Sequence, residues 1–341
     1  MSSLRVGLSL GVSAREPLVR VSRLAARIEE AGFDRLWFVD YQLPMKDCFV
    51  AMTLAATATH RLQLGPGVAN PRTRHLSVLA NSMNAIHELS QGRALLGLGT
   101  GHTAVYGVGL RPATVAETER AVVALKRLGD GEEVDTDGKP YRLLTRAVAS
   151  RPPLYVAATQ GRMLNLAGRL ADGVILMGAA DGDFTRWQLE RIHEGLAEAG
   201  RGRHEIDIEL WTAVSVGRPA LAVRDVKAWA AAEARVLSRW KGDLPGGLGR
   251  FSAEFTRAEQ EYAFSDHLSV PGHNAELISD ELAMRLAVAG EPEDCARRLR
   301  ELADLGLDGI TLTLLSGGRE QRLARMAAEL LPALRAARLR S

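Results

Sequence analysis

PLYVAATQGRMLNLAGRLADGVIL, residues 153–176, reads as a strand, a helix and a second strand with almost nothing between them. PLYVAAT (153–159) is an apolar run of strand length, Met163 to Leu170 follows helical spacing, and GVILMG (173–178) is apolar again. Strands joined through a helix run parallel, because a crossover of that length cannot be a hairpin. The unit therefore predicts an α/β fold around a parallel sheet.

The same alternation extends in both directions. Upstream, LRVGLSL (4–10), RLWFV (35–39), RLQLGPGVA (61–69) and RALLGLG (93–99) are strand candidates, with helices expected over 16–31, 49–59, 76–89 and 114–128. Downstream, IDIELWTAVSVG (206–217) and GITLTLL (309–315) bring the strands to eight. Helices are expected over 184–199, 223–237, 276–289, 292–305 and 320–337, the last broken at Pro332. GEEVDTDGKPYRL (131–143) interrupts the rhythm as a small hairpin turning at Asp137-Gly138. From 238 to 274 the pattern dissolves, which predicts an irregular insertion and a candidate lid, with Trp240, Phe251, Phe255 and Tyr262 either keeping water out or packing the insertion against the barrel or a second subunit. Eight strand–helix units predict a single (β/α)8 TIM barrel over residues 1–341. A doubly wound sheet is the competing arrangement, and the even spacing before residue 238 favours closure.

Composition narrows the function classes. The chain is 46% hydrophobic and 25% charged, and its 43 Lys and Arg against 41 Asp and Glu leave a formal charge of +2. The arginines are dispersed rather than striped, so no nucleic-acid footprint is visible. No apolar run has the length of a membrane span, and Met1–Arg5 leads straight into a strand candidate, so a cytoplasmic protein is expected. Cys48 and Cys295 lie far apart without metal-ligand spacing, which indicates buried apolar fillers and no metal site.

In a barrel the chemistry sits at the carboxyl ends of the strands. Those positions are small, glycine-rich and weakly ionised: Asp40 and Tyr41, Gly67 to His75, Gly99 to Tyr106, Thr159 to Arg162, and Gly178. Paired carboxylates, HExxH and GxSxG are missing from them, so a cofactor is expected to bring the reactivity. Thr159-Gln160-Gly161-Arg162 opens a helix whose amides would hold a phosphate, with Arg162 as counter-charge. GLGTG (97–101) is no dinucleotide fingerprint, since Gly97 and Gly99 fall inside a strand, and tight interior packing explains Gly97 equally well. Arg72 and Arg74, with His75, would either attract an anionic tail or substrate, or simply keep a helix entrance wet.

WFVDYQLPMKDCFVAMTLAATATHRLQLGPGVANPRTRH (37–75), continuing LSVLANSMNAIHELSQGRALLGLGTG (76–101), resembles the luciferase-like monooxygenase superfamily and its methylenetetrahydromethanopterin reductase branch. The resemblance implies a bacterial luciferase-like barrel, a homodimer, and a flavin or the deazaflavin coenzyme F420 at the strand ends. It places a non-prolyl cis peptide at Gly67-Val68, Asp40 and Asn70 near the ring, Thr100, Gly101 and His102 beside it, and Gly161 and Arg162 at the phosphate. Thr159, Gln160 and Gly178 complete the expected cofactor contacts.

Two positions depart from the branch: Tyr41 follows Asp40 where relatives often have His, and His102 follows Gly101 where they often have Asp. The expected activity is therefore an F420-dependent hydride transfer to a C=C, C=N or C=O bond of a small molecule, with Asp40, Tyr41, His75 or His102 as proton donor. An FMN-dependent monooxygenase and a non-catalytic flavin-binding barrel are the alternatives.

Overall fold

Three strands stop directly before a glycine, at Gly11, Gly99 and Gly217, and a fourth ends on Pro66. In the computed structural model, which describes residues 4–136, 138–145, 150–263, 266, 272–315 and 318–336, one sheet holds nine strands, eight of them on its main path. The eight are β1 (Arg5–Leu10), β2 (Arg35–Phe38), β3 (Gln63–Pro66), β4 (Leu96–Leu98), β5 (Leu154–Ala158), β6 (Gly173–Leu176), β7 (Asp207–Val216) and β8 (Gly309–Thr313). Their order is β3-β2-β1-β8-β7-β6-β5-β4. Parallel bridges Leu64–Ala94 and Ala69–Leu98 join the two ends of that order. The fold is a (β/α)8 barrel in which ring order equals chain order, and the doubly wound alternative is excluded because no strand order reverses.

Several boundaries differ from the sequence expectation. Helix α1 (Arg20–Glu30) starts four residues later than the apolar spacing suggests, since Pro17 first forms a turn that accepts Arg20 N–H. Val288–Gly290, expected within a helix, is a short strand paired in parallel with Val214–Val216 at the end of β7. Among the described residues of the segment after 238, Pro245–Phe251 and His273–Leu277 form 3-10 turns and Ser252–Glu261 is an α-helix. The final helix loosens into a π turn at Met326–Leu330 immediately before Pro332, which has no N–H to offer. The small hairpin pairs Val134–Asp135 with Pro140–Tyr141; Asp137 at its tip, and Ala337 at the chain end, lie outside the described residues.

The chain divides into two compact units, Gly7–Ile175 with Arg191–Asp207, and Met1–Val6 with Leu176–Glu190 and Ile208–Ser341. In the amino-terminal unit, buried Arg35 sits among the strand beginnings. Its Nε donates to Gln63 at 2.7 Å, and Nη2 donates to the Tyr155 hydroxyl at 3.0 Å and to Asp207 at 2.8 Å. One planar guanidinium thereby ties β2, β3, β5 and the start of β7. The Glu29 carboxylate accepts the N–H groups of His60, Arg61 and Leu62 and so fixes the chain leading into β3.

Farther along the same strands the interior has no space for a methyl group. A Cβ on Gly97 would collide with the Pro66 carbonyl and stand 2.9 Å from Val68 Cγ1, and one on Gly99 would stand 2.8 Å from Val68 Cγ2.

In the carboxyl-terminal unit, Phe251 and Phe255 are buried with Phe184, Ala230, Ala231 and Leu282, and Trp240 and Tyr262 pack half-buried on that cluster. Trp240 also lies 4.8 Å from the Trp187 ring and 5.6 Å from Phe184. These aromatics pack in the unit's own core, one of the two roles expected for them. Gly97→Ala is expected to lower stability by about 1–3 kcal/mol through overpacking, whereas Gly249→Ala, with open space around its Cβ, is expected to change it far less. Urea unfolding midpoints of the two variants check this.

Candidate active site

The site begins where β2 ends. The Phe38 carbonyl accepts the Gly67 N–H at 2.6 Å, which holds the ends of β2 and β3 together. Asp40 follows, only 7% exposed. Its Oδ2 is buried, makes no hydrogen bond and lies 3.6 Å from Arg74 Nε. Arg74 reaches a second carboxylate through Nη2, donating to Asp47 at 2.7 Å, and its guanidinium lies over the Phe49 ring at 4.5 Å. Asp47 caps helix α2 (Cys48–Ala58) by accepting the N–H groups of Phe49 and Val50. Burial pushes the Asp40 carboxyl above its ordinary value, against the pull of Arg74 and of the Cys48 thiol that donates to it. Burial likewise pushes Cys48 well above the usual thiol range, and the Asp40 charge adds to it.

Tyr41 is buried and its hydroxyl is also shifted upward by burial. The next residue, Gln42, donates to the Ala104 carbonyl at 2.9 Å, tying this loop to helix α4 (His102–Tyr106).

At the end of β3 the Gly67-Val68 peptide is cis, as the family resemblance implied. Ala69 pairs with β4, donating to Gly97 and accepting from Gly99, both at 2.9 Å. Asn70 is completely buried. Its Oδ1 accepts from Arg72 N at 3.0 Å, Thr73 N at 2.9 Å and Thr73 Oγ1 at 3.2 Å, while its Nδ2 has no partner. Gly101, at φ +81°, makes this possible, because a Cβ there would stand 2.8 Å from Asn70 Cγ.

Asp40, Tyr41, Gly67, Val68, Asn70, Gly101 and His102 are thus gathered by the ends of β2, β3 and β4. Thr100 adjoins them and accepts the Ala113 N–H. His102 is half-buried and meets Tyr106 edge-on at 5.2 Å. His75 is elsewhere: exposed, it caps helix α3 (Leu76–Leu89) through Nδ1 and Ser77, with Tyr141 at 5.6 Å. Arg72 pairs at 2.7 Å with Glu117, which closes a capping box with Thr114 on helix α5 (Val115–Gly129). The two arginines expected to attract an anion are therefore engaged with carboxylates of this unit.

Farther around the ring, Thr159 and Gln160 lead from β5 into helix α6 (Gly161–Leu170), whose start has no side-chain cap. Gln160 and Arg162 are exposed, and Gly161 is half-buried. Gly178, in the carboxyl-terminal unit, follows β6 at φ +117°.

A family model described as luciferase-like monooxygenase matches residues 2–309. The chain belongs to that family. The 5,10-methylenetetrahydromethanopterin reductase of Methanolobus tindarius is 29% identical over 86% of this chain and 90% of its own length. An F420-dependent glucose-6-phosphate dehydrogenase from Kineococcus radiotolerans is 28% identical over 93% of each chain. Among solved structures, the coenzyme F420-dependent tetrahydromethanopterin reductase of Methanopyrus kandleri matches with a TM-score of 0.80 at 23% identity, covering 98% of this chain and 100% of that one.

In this luciferase-like chain a second buried acid escapes the sequence reading. Glu233, on helix α8 (Pro219–Leu237), accepts the Gly178 N–H and is completely enclosed, and burial pushes its carboxyl up to about 7. In AAAEARV it looks like any solvated helix glutamate, and only the packing of α8 shows otherwise. Asp47 was legible in principle, as an acid directly before an apolar helical run.

Because the folded value lies above the unfolded 4.5, the stability contributed by neutral Glu233 is present in full below about pH 4.5 and is lost as pH rises through about 7. Glu233→Gln, which keeps an acceptor for Gly178, is expected to be more stable than wild type at pH 8 by about 2–3 kcal/mol. The two are expected to converge toward pH 5, and denaturant titrations at several pH values check it.

Proposed function

We propose that this chain is a coenzyme F420-dependent oxidoreductase acting on an unsaturated C=C, C=N or C=O bond of a small molecule. The observation that carries the reading is Asn70, a buried side chain held by three accepted hydrogen bonds whose amide donor is left without a protein acceptor. Native interiors seldom leave such a donor unmet, and a ligand carbonyl would satisfy it. The named F420 enzymes among the relatives support the choice of ligand.

When bound, the deazaflavin supplies a hydride carried on carbon. The chain's own residues do the rest. Gly67, Val68, Asn70, Thr100 and Gly101 would line the ring, where the glycine at 101 leaves Asn70 its place. The uncapped start of α6, with Thr159, Gln160, Gly161 and Arg162, would receive the phosphate, and Gly178 would complete the contacts. Tyr41, whose hydroxyl is shifted upward, keeps its proton at neutral pH and can donate it. Asp40 and His102 are the other proton carriers of the group. His75 is spent on capping α3, which argues against the proton role expected for it.

The family description favours one further reading, an FMN-dependent monooxygenase. Parallel fluorescence titrations of the apoprotein with F420 and FMN separate the two: selective micromolar or tighter F420 binding supports the reductase, and preference for FMN overturns it. Asn70→Asp keeps the acceptor oxygen and removes the amide donor, so its expected outcome is an unchanged fold and F420 affinity reduced about tenfold or more.

We further propose a homodimer whose contact includes the exposed Val50 (46%) of α2 and Val78 (52%) of α3. Sedimentation should give a dimer for wild type and monomer for the Val50→Lys, Val78→Lys double variant.

A further inference from the structure

We propose that Arg74 is a positioning residue for Asp40: its guanidinium, braced by Asp47 and the Phe49 ring, fixes the Asp40 carboxyl group at the end of β2. The catalytic meaning of this contact rests on the reading that Asp40 borders the deazaflavin. The contact itself does not.

Three observations converge. Arg74 divides its donors, with Nη2 bonded to Asp47 at 2.7 Å and Nε left facing Asp40 Oδ2 at 3.6 Å. That distance is an ion-pair contact and too long for a hydrogen bond, so Oδ2 is steadied by charge while remaining able to accept a proton. The guanidinium cannot swing away, because Asp47 is itself locked as the cap of α2 and the Phe49 ring covers one face at 4.5 Å. A planar fork can serve two carboxylates in this way, and the compact ammonium of lysine cannot.

The groups bearing on Asp40 come from three segments. Tyr41 is next in its own loop, Asp47 and Cys48 begin α2, and Arg74 comes from the stretch before α3. Arg74 is the positive charge among them. Burial and the Asp47 charge drive Asp40 toward the neutral acid; Arg74 and the Cys48 thiol oppose them. A buried carboxylate deprived of its cation gives up its charge by taking a proton. The charged form of Asp40 is thus favoured by a residue 3.6 Å from its Oδ2.

The test reads Asp40 directly. In apoprotein carrying 13C-labelled aspartate, with the Asp40 signal assigned by Asp40→Asn, Arg74→Met is expected to move the Asp40 midpoint up by about one unit or more. Arg74→Lys should restore part of that shift. An unmoved midpoint in folded Arg74→Met overturns the proposal. If Arg74→Met does not fold, Arg74→Gln is read by the same criterion.

F420 affinity measured from pH 5 to 9 then separates this proposal from the reading beneath it. An affinity midpoint that follows the Asp40 midpoint through the variants supports both. A moved Asp40 signal with no F420 binding leaves Arg74 as the positioning residue and removes the deazaflavin.

Discussion

The absence of room between strands β2, β3 and β4 governs this molecule. Trp37 and Val68 fill the interior there so completely that Gly65, Gly97 and Gly99 have no space for a Cβ. Close backbone approach at those glycines lets Ala69 pair with both Gly97 and Gly99, and the pairing carries the chain to Asn70 at full burial. The position of the candidate ring-binding amide is thus a packing result before it is a functional one. Bulk placed in the strands would be felt at the site, although no residue of the site would have changed.

Charge in the amino-terminal unit follows a similar economy. Arg35 is matched with Asp207, Arg72 with Glu117, and Arg74 with Asp47 and Asp40. The two arginines of NPRTRH, for which the sequence left open anion attraction or a wet helix entrance, pair with carboxylates of this unit. What the strand ends offer a ligand is shape, a buried amide donor and a few proton-bearing groups.

The fold was legible because its signal is local. Each apolar run and each helical face repeats within a few residues, and eight repetitions determine closure. Val288–Gly290 was misread because a short buried apolar run carries no period that separates strand from helix. The segment after 238 was misread because its turns are brief and glycine-rich, and because its order comes from Phe251 and Phe255 packing on α8 and α10 (Asp280–Leu286) rather than from periodicity. The site was legible as a set of strand ends. The partners within it were not: Arg74 and Asp40 are far apart in sequence, as are Glu233 and Gly178, and nothing local marks either pair.

The stretch from Asn70 to His75 has one more property. Asn70 folds it upon itself through Arg72 and Thr73, Arg72 joins the capping box of α5, Arg74 holds the capping acid of α2, and His75 is the cap of α3. Six consecutive residues therefore help set the beginnings of three helices. In evolutionary terms such a segment is epistatic, since the acceptability of a change at one position is decided by what occupies the others and by residues on three distant helices. A single replacement there would be felt at the starts of α2, α3 and α5 together, whereas one in a loop that begins only one helix would stay local.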